Sequence, residues 1–174
     1  MLRILSIVFV TFAIIGCSTQ YPNKNPVGQV FPSVSGQSLE KQVVKMPQHF
    51  ANRKVLVLLG YVQDSQFDID RWLIGLDMTK TQVDVFELPT IAGMFPRMFK
   101  TQIDNGMRKG IPKELWKGVI TIYADGEKVQ EFTGNMNPNN ARVLLLDQDG
   151  KILYFYDDGF SVSALNAVRE TLDQ

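Results

Sequence analysis

The sequence predicts an α/β fold with a central mixed β-sheet flanked by helices, and three observations carry that prediction. Val55–Tyr61 is an unbroken apolar run of strand length, as suits a strand covered on both faces. Strand-like and helix-like patterns then alternate along the chain, the order that places helices against a partly parallel sheet. Near the end, two apolar runs joined by Gln148-Asp149-Gly150 form a strong hairpin signal, followed by an amphipathic segment.

In order, Gln29–Phe31 and Lys41–Val44 are short candidate strands, and Pro47–Asn52 is a turn or helical stub. After Val55–Tyr61, residues Ser65–Leu76 place Phe67, Ile69, Trp72, Leu73 and Leu76 at helical spacing, and Val83–Leu88 alternates like a strand. Met94–Met107 predicts a helix with Phe95, Met98, Phe99 and Ile103 as an apolar stripe. Pro96 then falls in its first turn, where a missing N–H costs little. Ile111–Trp116 suits one helical turn, Val119–Tyr123 a strand, and the following "ADGEK" a turn. Arg142–Asp147 and Ile152–Asp157 are the hairpin strands. Ser161–Leu172 closes the chain as an amphipathic helix with Ser161 or Ser163 as its N-cap.

The first residues, "MLRILSIVFVTFAIIGCSTQ", bear on compartment. Ile4–Gly16 is almost wholly apolar, too short for a mature membrane span of ~20 residues and suited to the core of a signal peptide. Ile14-Ile15-Gly16-Cys17 resembles a lipobox, the motif at which bacterial lipoproteins are acylated on cysteine and cleaved before it. The expected organisation is a signal peptide over 1–16, a lipidated N-terminus and tether over 17–27, and one domain over 28–174. Membrane attachment is expected through acylated Cys17. Ser18 is not the Asp that retains such proteins at the inner membrane, so the resemblance implies a periplasm-facing envelope protein, the outer membrane favoured over the inner.

Cys17 is the only cysteine. Acylation consumes its thiol and leaves no thiolate for redox chemistry or metal ligation. Removing 1–16 takes away Arg3 and no acid, leaving seventeen basic against eighteen acidic residues. That near-neutral balance argues against a nucleic-acid partner.

Strand–helix–strand followed by strand–strand–helix is the thioredoxin-like layout, and "RVLLLDQDGKILYFYDDG" with its trailing helix resembles the C-terminal unit of thioredoxin-like and peroxiredoxin-like domains. Both hallmarks of their redox site are missing. The strand–helix corner reads Asp64-Ser65-Gln66-Phe67 where a cysteine pair would stand. The position of the cis-proline before the penultimate strand falls on Ala141, with Pro138 three residues too early. "DIDRWLIGL", "FELPTIAGMFPRMFKTQIDNGMRKGIPKELW" and "EFTGNMNPNNARVLLLDQDGKILYF" together resemble the mitochondrial ATP-synthase Fo assembly factor family, from about Phe31 to the end. That resemblance implies a membrane-proximal helper of other proteins, without fixing the client.

The corner with Tyr61, Asp64 and Ser65 is one candidate interaction site, because ligands bind open α/β sheets beyond the carboxyl ends of their strands. The plainer account is that Asp64 or Ser65 caps the helix while Asp68 and Asp70 complement its dipole. Arg97, Lys100, Arg108, Lys109, Lys113 and Lys117 form a basic segment that, with Phe95, Phe99 and Trp116, suits anionic headgroups or an acidic client; otherwise it is one solvated face. His49, the only histidine, and Met94, Met98 and Met107 raise copper as a ligand, although methionine on an apolar helical face usually fills a core. Asp157-Asp158 before Gly159 reads as turn chemistry. No nucleophile elbow, zinc-protease helix or phosphate loop is present.

The sequence therefore predicts a non-enzymatic, lipid-anchored interaction or assembly factor for an envelope protein, with no catalytic residue, metal or cofactor. A periplasmic small-ligand or copper-binding module is the alternative, and a degenerate peroxiredoxin-like enzyme comes third.

Overall fold

The computed structural model describes residues 19–174. The expectations for residues 1–16 and Cys17, and the side chain of Phe95, lie outside the described residues. The strands are β1 (Val34–Ser38), β2 (Val43–Met46), β3 (Val55–Gly60), β4 (Asp84–Pro89), β5 (Ile120–Thr121), β6 (Arg142–Leu146) and β7 (Ile152–Tyr156). The helices are α1 (Gln66–Met78), α2 (Met94–Met98), α3 (Lys100–Gly110), α4 (Gly126–Thr133) and α5 (Val162–Leu172).

A four-stranded sheet runs β4-β3-β6-β7, with β3 parallel to β4 and antiparallel to β6. A three-stranded sheet, β2-β1-β5, joins it through parallel bridges from Glu87 to Val119 and from Thr90 to Ile122. This is the mixed sheet with flanking helices that the alternation predicts. The β3 run lies at its centre because every residue has somewhere dry to go. Val55, Val57 and Leu59 enter a cluster with Phe31, Met46, Phe50 and Leu144, while Leu56 and Leu58 face Ile69, Trp72, Leu145 and Val168. At ~1.5–3 kcal/mol for each fully buried aliphatic or aromatic side chain, these two layers are the main stabilising term.

Several elements differ from the sequence reading. Gln29–Phe31 contributes only a bridge from Val30 to Lys151, and β1 forms instead over "VSGQS". Gly36 permits it, since a Cβ there would lie 2.6 Å from the Ile120 side chain on the neighbouring strand. The predicted long helix is two: at Phe99 the chain tightens, its N–H donating to Pro96 O three residues back, and α3 restarts. Met98 and Phe99 of the predicted stripe are exposed, as is Met94, and Ile103 is half-buried. Of "ADGEK", Ala124 and Asp125 do turn the chain, but Gly126 already opens α4, whose buried face is Val129, Gln130 and Thr133. The hairpin and α5 match, and Ser161 Oγ caps α5 by accepting the Ala164 N–H at 3.1 Å.

Candidate functional site

The carboxyl ends of β3 and β4 meet the start of α1 and the loop leading into β6. Gly60 ends β3 because the turn is tight: a Cβ there would sit 2.6 Å from Ser65 Oγ and 3.1 Å from Ile69 Cδ1. Neither Asp64 nor Ser65 caps α1. The Ser65 hydroxyl instead donates to Val62 O at 2.7 Å, closing the short 3-10 turn Gln63–Ser65. Asp68, read from sequence as a dipole partner, is buried and does something larger. Its Oδ2 accepts the Ala141 N–H at 2.9 Å and its Oδ1 the Phe160 N–H at 2.8 Å, with the Arg71 guanidinium 3.8 Å away. One carboxylate thus holds the corner helix, the residue before β6 and the approach to α5 together.

Beside Ala141, Arg142 opens β6 and is fully buried. Its Nη1 donates to Asn137 O at 2.6 Å and to Asn140 O at 2.9 Å, which shapes the loop, and its guanidinium stacks 4.7 Å over the Tyr61 ring. Nε and Nη2 have no partner, and among the described residues no carboxylate lies within ion-pair distance. The nearby Asp157 also has a buried, unpartnered Oδ2. Burial pushes the Asp157 carboxyl up against the opposing pull of Arg142, and burial lowers the Arg142 pKa. Tyr61 is buried too, its hydroxyl bonded to Thr133 and to Val129 O. Burial raises its pKa to about 12 although the Thr133 bond and Arg142 oppose the shift. Outside this buried group lies a cleft of about 350 Å³ lined by Asp64, Phe67, Asp68, Arg71, Asn139 and Asn140. Asn140 is held from behind, its Nδ2 donating to Asp157 O at 2.9 Å.

The residues singled out from sequence separate into two places. Tyr61, Asp64 and Ser65 do come together here, but only Asp64 is exposed. Arg97, Lys100 and Lys109 are exposed on α2 and α3, Arg97 donating to Ala124 O at 2.9 Å. Arg108 is structural: its Nε donates to Leu39 O at 2.7 Å and its guanidinium lies 5.9 Å over the Trp116 ring, whose Nε1 donates to Ile111 O. His49 packs edge-on against Phe50 and Phe86, where burial and then Arg53 lower its pKa, while Met94 and Met98 stand exposed on α2. Among the described residues no cluster of His, Cys, Asp and Glu is arranged for a metal.

Sequence reading passed over Asp68, Asn140 and Arg142 as site residues. A charged residue opening an otherwise wholly apolar strand, "ARVLLL", was the available signal for Arg142. Chemically the arrangement supplies a buried cation, a protonated phenol and a polar cleft. The corner presents no thiol.

This chain has the thioredoxin-like fold. It is similar in structure to a thiol peroxidase from Chromobacterium violaceum (TM-score 0.59, 11% identity, 89% of this chain and 92% of that one covered). It is likewise similar to the pneumococcal exposed lipoprotein thioredoxin of Streptococcus pneumoniae (0.52, 10%, 80% and 98%). A third match is Arabidopsis thaliana ScoI, solved with copper bound (0.53, 11%, 83% and 99%). At these identities the likeness is one of fold. No protein-family model matches the chain, and no curated protein matches it in sequence.

Proposed function

We propose that this chain is a lipid-anchored, thioredoxin-like module that binds another protein of the bacterial envelope instead of carrying out thiol chemistry. The observation that supports this most is the corner itself. Where this fold can carry reactive cysteines, the chain has Asp64-Ser65-Gln66-Phe67, and the Asp68 carboxylate fastens the helix behind them to Ala141 and Phe160. Fixed hydrogen bonds between these elements suit a rigid recognition surface. At the polar cleft stand exposed apolar side chains, Val62 and Phe67. Isolated polar groups among exposed apolar anchors suit a protein partner. The resemblance to the Fo assembly factor family points the same way, toward a helper of membrane-protein assembly.

The test is photo-crosslinking in living cells from a photoreactive residue at Asp64 and, separately, at Arg97, with the trapped species identified by mass spectrometry. One dominant envelope-protein adduct is the expected result. Repeated absence of adducts from correctly anchored protein overturns the reading.

A second reading has its own observation. The unpartnered Nε and Nη2 of buried Arg142, whose Nη1 holds the cleft loop, favour a small anionic ligand over copper. Inorganic phosphate that raises the melting temperature of the natural chain, and not of Arg142→Met, would support it.

A further inference from the structure

Thr19–Pro26 lies within the segment 17–27 that reads from sequence as a lipidated N-terminus and tether, yet it is bound to the domain. Asn135 is the centre of the attachment. Its Oδ1 accepts the Tyr21 N–H at 2.7 Å, its backbone N–H donates to Tyr21 O, and its Nδ2 donates to Thr19 O and to Gln130 Oε1, each at 2.9 Å. The Lys24 N–H donates to Thr133 O at 3.0 Å, Asn23 Oδ1 accepts the Met136 N–H at 2.9 Å, and Pro26 is buried. Gly134, at φ +82°, lets the two segments touch. A Cβ there would lie 2.3 Å from Asn23 Cα and 2.4 Å from Pro22 O. Gln130 Nε2 continues the chain of bonds to Thr90 O, just beyond β4. Thr19 is thereby fixed relative to the end of the sheet that carries the cleft.

Cys17 lies two residues before Thr19, a span of at most ~7 Å even fully extended. An acyl group on Cys17 can therefore leave the domain little freedom to stand off or turn. We propose that Thr19–Pro26 is a latch that turns the carboxyl ends of β3 and β4 toward the bilayer, so that Met136 and α2 rest on phospholipid headgroups and the Asp64–Asn140 cleft is held beside them for its client. This rests on the acylation of Cys17 adopted above. The surface fits that partner. Met136, Met94 and Met98 are 50%, 79% and 70% exposed, and the cations Arg97, on α2 with the last two, and Lys100, at the start of α3, accompany them. Apolar side chains among cations suit the headgroup boundary of an anionic membrane.

The test uses the acylated full chain on vesicles of phosphatidylcholine and phosphatidylglycerol. A fluorophore is placed on Met136→Cys or on Met78→Cys, with a quencher on the lipid headgroups. Met78 is 77% exposed at the far end of α1, ~18 Å from its start. The expected result is several-fold stronger quenching at position 136 than at 78. It should fall toward equality when roughly a dozen Gly/Ser residues, with a root-mean-square reach of ~19 Å, are inserted between Ser18 and Thr19. The insertion leaves the packed domain unchanged, so misfolding does not confuse the result. Equal quenching with the natural spacing overturns the orientation and leaves this face to a protein client, and contrast that survives the insertion overturns the latch as its cause. Mass spectrometry of the N-terminal peptide separates the two readings. Unacylated Cys17 overturns the anchor and this proposal together, whereas acylated Cys17 without contrast overturns this proposal alone.

Discussion

The carboxylate of Asp68 accepts the backbone N–H of Ala141 at 2.9 Å, across 73 residues of sequence, and so ties the corner helix to the strand that opens with Arg142. Its other oxygen accepts Phe160 N–H. Asp68→Ala leaves both N–H groups without their acceptor, the Ala141 one in a buried setting, and should cost about 3 kcal/mol, while Asp68→Asn, which keeps one carbonyl oxygen, should cost about half. Urea unfolding checks this. The midpoint should fall at constant slope, and an unchanged midpoint in Asp68→Ala would show that the two bonds add nothing net.

Tyr61 should make the protein sensitive to alkali. Its folded pKa is raised, by burial first, from 10.0 to about 12. A raised pKa contributes stability that is fully present below pH 10 and is lost as pH climbs to 12. The unfolded phenol ionises early in that window while the buried one holds its proton. The loss is about 3 kcal/mol across the window. Tyr61→Phe should lack that component, so the difference between the two proteins, followed by chemical denaturation at pH 8, 10 and 11.5, should change in that direction. A constant difference would mean that the phenol is not held in a desolvated site.

Gly60 and Ser65 should be energetically coupled. Gly60→Ala drives a methyl to 2.6 Å from Ser65 Oγ and should destabilise by about 1–3 kcal/mol. Ser65→Ala removes that oxygen but leaves Ile69 Cδ1 at 3.1 Å, so it should relieve part of the clash. A double-mutant cycle should give a favourable coupling of about 0.5 kcal/mol or more. Strict additivity would show that the turn yields elsewhere.

Ser161→Ala should cost about 1 kcal/mol, because its Oγ is the acceptor that satisfies the Ala164 N–H at the start of α5. Ser161→Asp should retain most of the stability by supplying another acceptor. Thermal melts of the two variants distinguish loss of the cap from a general intolerance of substitution.

With the proposed acylation of Cys17, the chain's one cysteine, the protein should neither reduce insulin disulfides nor consume peroxide above the buffer rate. Turnover that persists in a Cys17→Ala variant would return the third reading, a degenerate enzyme, to first place.

Much of the fold is written locally. Alternate residues of Val55–Leu59 enter opposite core layers because a strand's side chains alternate, and an apolar residue at every position leaves no face for water. The hairpin at Asp149-Gly150 and the cap at Ser161 depend on neighbours within a few positions, so residue type and spacing sufficed to find them. The same holds for the missing corner thiols, a matter of composition. The tertiary structure decided where distant polar groups meet. Whether Asp68 points to water or to Ala141, whether Arg142 is solvated or lies beneath Tyr61, and whether Thr19–Pro26 hangs free or docks on Asn135 depends on which segments the packed sheet brings together. Period and propensity describe one element at a time. A buried carboxylate or guanidinium finds its partners only after the apolar layers have closed and excluded the water that would otherwise have served.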